Sequence, residues 1–341
     1  MKLPMGERPE PKIVGSGSAE RKEAITLKIT KSFGESHYEQ FSEEQRAELK
    51  AGEYDKRPEE VAAIRVANDI TDRLMEKFGV HPFDVPERNI HIVPGEIIEK
   101  LFGGSASNVA TTYYDKEGVA MSAAAVRQNP IYFAEVILHE IAHLKAPLAF
   151  SVEENSVSAY RTGVHAGTTT AKKMKIGSMQ MFGGLEEAIV AEIGKRYFEE
   201  AINSNQFLKE EADWQRSEEA LNFKGWVAWK EGIPIEDIVS VSREGKEQGR
   251  LPHPELRRTL NYLADCIAED NPEISKDEVM KTFFGAHFTG RLLPIAKNIE
   301  ASFGKGSFRV LSMMEIDPNS VNKMQDYLMK QRRLALAKRK K

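Results

Sequence analysis

The chain has 341 residues, of which 41% are hydrophobic and 29% are charged. This length supports one large or two modest domains with real cores, and it excludes a wholly disordered chain or a collagen-like fibre. No apolar run approaches the roughly 20 residues that cross a bilayer, and the first residues do not resemble a signal peptide. The single cysteine, Cys266, excludes an internal disulfide framework and a cysteine-based zinc finger. We therefore expect a cytoplasmic protein without a membrane span.

The net charge of −4 conceals an uneven distribution along the chain. The last twelve residues contain no acidic side chain and seven basic ones, namely Lys330, Arg332, Arg333, Lys338, Arg339, Lys340 and Lys341. The rest of the chain then has a net charge of about −11, which disfavours nucleic-acid binding through phosphate contacts. We expect the basic tail to be a solvated helix end, with contact to an anionic surface as the alternative.

The first 130 residues predict an extension, a helix and a small sheet. Residues 1–56 are rich in Lys, Glu, Ser and Gly, which is typical of a weakly ordered extension, with one short helix over residues 42–50. From Pro58 to Gly79, apolar residues recur every three or four positions and predict an amphipathic helix. Strand-like runs follow at residues 89–93, 110–114 and 119–126, the last two joined by a hairpin turn.

The remaining elements are mostly helical. Asn129 and Pro130 begin a helix that is apolar on most of its surface and ends before Pro147, so we expect it to be buried. Residues 150–184 are polar and suggest an irregular hairpin, with strands at 157–165 and 174–182. Further helices are expected at residues 185–198, 255–268, 291–303 and 320–338. Another helix is expected to start at the capping box of residues 275–278.

The buried helix contains the pattern His-Glu-x-x-His at residues 139–143. Side chains four positions apart lie one above the other on a helix, so His139 and His143 can bind one metal ion while Glu140 lies beside them. Neutral imidazoles bind Zn²⁺ well, and a site with three protein ligands leaves a fourth position for an acidified water. Glu140 is then placed to accept the proton of that water. The alternative is a hydrogen-bonded histidine pair in an ordinary core helix.

On this pattern the chain resembles the zincin metallopeptidases. The resemblance implies an α+β fold in which a zincin-like catalytic domain, a small mixed sheet plus an active-site helix, precedes a mainly helical C-terminal region. It also implies that the strand before the active-site helix lines the cleft and pairs with an extended peptide or protein substrate. Residues 119–126, with small side chains at 122–125, match that strand, and a plain core strand is the alternative.

The third ligand distinguishes the groups within this family. A metzincin would have glycine and histidine where this chain has Ala146 and Ala149. The same two residues disagree with the group of the family that uses an aspartate as the third ligand. The resemblance that remains is to the gluzincins, in which a glutamate on a later helix completes the site. Residues 184–192 match the gluzincin motif and imply Glu187 as the ligand, with Glu186 as the second candidate.

The same resemblance implies a supporting acid four residues after the ligand, but the chain has Ala191 there and Glu192 one residue later. If the third ligand lies elsewhere, Glu153 and Glu154 are the next candidates. Many such peptidases use a tyrosine or histidine to stabilise the oxyanion, and the 150–184 segment offers Tyr160 first and His165 second.

We therefore expect a zinc-dependent peptidase with one Zn²⁺ per chain, a peptide or protein substrate and no specific nucleic-acid partner. Its expected segments are an N-terminal extension (1–56), a zincin-like catalytic domain (57–204, with an insertion at 150–184) and a helical C-terminal domain (205–341). The alternative is a catalytically silent, zinc-stabilised binding or scaffold protein. Glu140 favours the enzyme, because a scaffold has no need of a general base.

Overall fold

The computed structural model describes residues 8–31, 33, 37–168, 179–243 and 248–339. Over these residues the fold is mixed α+β, with many helices and small sheets of mixed strand direction, which confirms the predicted class at that level. No helix in this part of the chain is both long enough and apolar enough to cross a membrane.

The described helices and strands are as follows. The helices are α1 (Ala19–Lys31), α2 (Glu43–Gly52), α3 (Pro58–Lys77), α4 (Gly95–Phe102), α5 (Ala123–Val126), α6 (Pro130–Leu144), α7 (Gly183–Asn203), α8 (Lys209–Gln215), α9 (Glu218–Glu231), α10 (Pro254–Asp270), α11 (Lys276–Thr289), α12 (Leu293–Phe303), α13 (Ser307–Leu311) and α14 (Pro318–Arg339). The strands are β1 (Lys12–Val14), β2 (Ile90–Val93), β3 (Ala110–Tyr113), β4 (Gly118–Ser122), β5 (Leu148–Val152), β6 (Val157–Thr162), β7 (His165–Thr168), β8 (Met179–Met181), β9 (Ile238–Val241) and β10 (Gln248–Arg250).

The chain divides into two compact units, and neither is continuous in sequence. The first comprises the described parts of residues 1–11, 18–145 and 194–252, and the second those of residues 12–17, 146–193 and 253–341. The three consecutive segments expected from composition stay a prediction. Strand pairing over long sequence separations, as between β1 and β5, brings distant segments into one unit, which a change in composition along the chain does not reveal.

In the first unit, a three-stranded sheet has the strand order β2-β4-β3. The central strand β4 pairs in parallel with β2 and antiparallel with β3, so both of its edges are occupied. This corrects the expectation that residues 119–126 form a strand that pairs with substrate. Residues 118–122 form a fully paired core strand, and residues 123–126 form the short helix α5, which their alanine content favours. The edge strands are β2 and β3.

Helix α6 in the same unit follows the prediction closely. The Asn129 side chain accepts a hydrogen bond from the Tyr132 backbone N–H at 3.0 Å, and Pro130 occupies the first turn. Of its fifteen residues, thirteen are buried, including all five residues of the 139–143 pattern. Helix α3, which packs against α6, buries Ile64, Ile70 and Leu74 on one face, as its periodicity predicted.

In the second unit, a five-stranded sheet has the strand order β1-β5-β6-β7-β8. Strands β6 and β7 form a hairpin that turns at Gly163, whose φ of +56° suits glycine. The strand predicted at 157–165 is therefore right only over residues 157–162, because the turn at Gly163 lies inside it and His165 begins β7. Of the second predicted strand, 174–182, residues 174–178 lie outside the described residues, and Met179–Met181 form β8.

The N-terminal segment contains more regular structure than its composition predicts. The helix expected over residues 42–50 is α2, which begins with a capping box at Ser42. Strand β1 and helix α1 were not expected. Strand β1 pairs in parallel with β5, from Lys12 opposite Ala149 to Val14 opposite Ser151. Hydrogen bonds to a strand more than 130 residues away order this segment, and no local pattern encodes them.

A buried polar network holds residues 37–53 against β2 within the first unit. His37 and His91 are both fully buried, and their Nε2 atoms lie 2.9 Å apart. The Asn89 side-chain nitrogen lies 3.1 Å from His37 Nδ1, and a Glu53 carboxylate oxygen lies 2.9 Å from His91 Nδ1. Burial lowers the pKa of His91, and the Glu53 contact opposes that shift in part. These groups satisfy one another inside the core.

Glu117, in the turn between β3 and β4, is a second buried ionisable group. Its side chain has no solvent exposure and forms an ion pair with Arg8. Burial raises the pKa of Glu117 from its ordinary 4.5 to about 7, and Arg8 opposes the shift without cancelling it. The folded protein therefore binds this proton more tightly than the unfolded chain does.

We expect Glu117→Gln to remove a pH dependence of stability. In the wild type, this carboxyl lowers the free energy of unfolding by up to about 3 kcal/mol as the pH rises from 4.5 to 7, and the loss then levels off. Urea unfolding at pH 4.5 and pH 8 measures both proteins. The variant should gain stability relative to the wild type at the higher pH, and an equal difference at the two pH values would contradict the assignment.

The C-terminal helices match the predicted positions, but one basic residue of the last helix is buried. The described part of the basic tail belongs to α14. Arg332 is only 6% exposed, forms an ion pair with Asp270, and lies 3.2 Å from a Glu269 carboxylate oxygen. The expectation of a solvated tail is therefore wrong at Arg332, which joins α14 to α10. Lys340 and Lys341 lie outside the described residues.

Candidate metal centre

Helix α6 presents His139 and His143 on one face. Both side chains are buried, and their Nε2 atoms lie 3.1 Å apart. Two nitrogens bound to one tetrahedral Zn²⁺ at about 2.0 to 2.1 Å each would lie about 3.3 Å apart. The same distance also permits an N–H···N bond between the two rings. Whether the two histidines can bind a metal ion therefore depends on a third ligand nearby.

Glu187, on the second turn of α7, completes the cluster. One ligand atom from each of His139, His143 and Glu187 lies within 4.8 Å of the other two. Two imidazoles and a carboxylate are a donor set typical of zinc sites that keep a fourth position open. The three residues implied by the sequence resemblance are therefore brought together, and they could hold one metal ion.

Glu140, the predicted general base, is held against the sheet of the first unit. The Thr112 hydroxyl donates a short hydrogen bond to Glu140 Oε2. Thr112 lies in β3, one of the two edge strands of that sheet. The Glu140 side chain is 91% buried, so this contact fixes one carboxylate oxygen in a site with little solvent. Sequence reasoning had not singled out Thr112, since a threonine in a strand is ordinary.

Glu186, the second candidate for the third ligand, has structural contacts of its own. The Val164 backbone N–H donates to Glu186 Oε2 at 2.8 Å, and His287 Nδ1 lies 2.8 Å from Glu186 Oε1. Glu186 and His287 are both buried. A Cβ at Gly163 would lie only 2.4 Å from Glu186 Oε1, so this carboxylate packs directly against the β6–β7 turn. Glu186 therefore fixes the turn and α11.

The other acidic candidates also have contacts that explain them. Glu192 Oε2 accepts a hydrogen bond from the Asn261 side chain at 3.1 Å and lies 3.6 Å from Arg257 Nε. Arg257 and Asn261 are both on α10, so these contacts connect α7 to α10. Glu153 accepts a hydrogen bond from the Ser151 hydroxyl at 3.0 Å, and Glu154 is exposed.

The two proposed oxyanion stabilisers have different surroundings. Tyr160 is the extra residue of a β-bulge in β6, and no hydrogen bond, ion pair or ring contact of its side chain occurs among the described residues. His165 Cδ2 lies 3.9 Å from the position of a Cβ at Gly183. Gly183 is four residues before Glu187, so the two positions share a face of α7. The order given for the two residues, Tyr160 first and His165 second, stays a prediction.

His253 is a contact of the cluster that sequence reasoning missed. Its Nε2 lies 3.4 Å from Glu187 Oε2, and its side chain is 30% exposed. The backbone of His253 has a φ of 51° and a ψ of 52°, the left-handed conformation that costs a non-glycine residue about 1 to 3 kcal/mol. The available signal was the Pro-His-Pro sequence at residues 252–254, which restricts the backbone on both sides of the histidine.

Comparison with known proteins identifies no relative. No protein family, no curated protein and no solved structure matches this chain. Support for a function therefore comes from the residues of the cluster and their geometry.

Proposed function

We propose that the protein is a zinc-dependent peptidase in which His139, His143 and Glu187 hold the metal. The observation that carries this proposal is the convergence of one ligand atom from each of these three residues to within 4.8 Å. They come from positions up to 48 residues apart, and they match in type and number the ligands of an open zinc site.

Glu140 is the general base in this proposal. Zn²⁺ held by His139, His143 and Glu187 would lower the pKa of a bound water to about 7 and would polarise the substrate carbonyl. Glu140, next to a ligand on the same helix, accepts the proton of the attacking water and passes it to the leaving amine. The Thr112 hydroxyl donates a hydrogen bond to Glu140 Oε2, so in this proposal Glu140 Oε1 accepts and releases the proton of the water.

In this proposal the substrate backbone binds along the edge of β3 that does not pair with β4. Strand β3 lies at the end of its sheet, and its inner edge pairs with β4 from Ala110 opposite Met121 to Tyr113 opposite Gly118. An extended peptide can add to such an edge through backbone hydrogen bonds. Because Thr112 contacts Glu140, a peptide added there runs past the general base. This assignment replaces β4, whose edges are both occupied.

We expect one zinc ion per chain in protein purified without a chelator. Elemental analysis of the wild type measures the stoichiometry, and the double variant His139→Ala with His143→Ala should lose the metal because one ligand remains. His81→Ala is the control, because His81 is exposed in the same unit. A wild type that binds almost no zinc, or a double variant that binds as much as the wild type, would reject the proposed function.

A further inference from the structure

The position of His253 next to Glu187 is set by the docking of α10. Arg257 is one turn and Asn261 two turns after His253 on this helix, and both contact Glu192. Glu192 follows Glu187 by five residues on α7. Arg257 and Glu192 are each less than 5% exposed, so the contact between the two helices is buried. His253, which directly precedes the first residue of α10, is therefore held beside Glu187.

The backbone at this position does not suit a histidine. Glycine and asparagine are the residues that most readily adopt the left-handed conformation. The residue before a proline is further biased toward extended conformations, and Pro254 follows His253 directly. A histidine in a backbone conformation that is unfavourable for two reasons suggests a role for its side chain, and this side chain contacts Glu187 Oε2.

We infer that His253 is a positioning residue for Glu187. Its imidazole holds one carboxylate oxygen, so that the other is presented to the metal in a fixed orientation. Partners of this kind orient metal ligands, and their removal weakens metal binding roughly 10 to 100-fold. The inference rests on the proposed function, because it requires that Glu187 binds zinc.

The test is zinc affinity in His253→Asn, measured by competition with a chelator. Asparagine tolerates the left-handed backbone but is too short to reach Glu187, so the variant separates backbone strain from side-chain contact. We expect zinc affinity to fall roughly 10 to 100-fold, while the Tm of the metal-free protein stays level or rises by roughly 2 to 6 °C. The visible spectrum of the Co²⁺-substituted variant should also change, because the ligand field depends on carboxylate orientation.

Two further variants make the result specific. In His253→Gln, a longer amide reaches toward Glu187, so zinc affinity should recover in part. In His287→Asn, the Glu186 contact is lost instead, so the Tm should fall while zinc affinity stays within about threefold of the wild type.

The outcomes separate the two proposals. If the wild type binds no zinc, the proposed function fails and the inference fails with it. If the wild type binds zinc and His253→Asn binds it equally well, the inference alone is overturned. A fall in the Tm of metal-free His253→Asn with no change in zinc affinity would make His253 a structural residue and also overturn the inference.

Discussion

Glu140→Gln should abolish peptide hydrolysis while leaving zinc binding and folding intact. Glutamine fills the same space and still accepts the hydrogen bond from Thr112, but it cannot accept the proton of the attacking water. We expect kcat to fall by roughly 10² to 10⁴-fold with a zinc stoichiometry equal to that of the wild type. Cleavage of a mixed peptide library by wild type and variant provides the measurement.

A matched control is available in Glu154→Gln, which makes the same chemical change at an exposed carboxylate. It should cleave peptides at the wild-type rate. Equal cleavage by wild type and Glu140→Gln would show that another residue is the base or that the activity comes from a contaminant. A wild type that binds zinc but cleaves no peptide would instead favour a zinc-stabilised binding or scaffold protein.

The second large effect is expected at Glu187. Glu187→Ala removes one of three protein ligands, so zinc affinity should fall by more than the roughly 100-fold upper range for a supporting residue. Adjacent glutamates on a helix point about 100° apart, so Glu186 cannot face the same ion. Glu186→Ala should therefore leave zinc affinity close to that of the wild type. Chelator competition ranks the variants on one scale.

The structure adds a second measurement to this comparison. Glu186→Ala removes the acceptor for the Val164 backbone N–H and the partner of His287, both buried, so it should lower the free energy of unfolding by about 1 to 3 kcal/mol. Glu192→Ala should also destabilise the protein, through Arg257 and Asn261, with at most a 10 to 100-fold effect on zinc. If Glu186→Ala weakens zinc binding most, the assignment of Glu187 is wrong.

Local patterns of the sequence determined the helices and the histidine pair. The capped, apolar segment from Asn129 to Pro147 predicted α6, because helix capping and the 3.6-residue period depend on neighbouring residues. The four-residue spacing of His139 and His143 predicted that their rings share a face, and their Nε2 atoms lie 3.1 Å apart. The choice of Glu187 came from resemblance to a family motif, and the cluster agrees with it.

The tertiary structure alone decided which strands lie at the edges of the sheet and which residues contact the cluster. The small side chains at residues 122–125 predicted a cleft strand, yet most of them lie in α5 and β4 is the central strand, because strand order depends on pairings between distant segments. Thr112 contacts Glu140 from 28 residues away, and His253 contacts Glu187 from 66 residues away. Neither residue belongs to a local pattern. The two candidate ligands on one helix could be predicted from the sequence because a helix fixes their spacing, whereas residues that contact them come from any part of the chain that packing brings near.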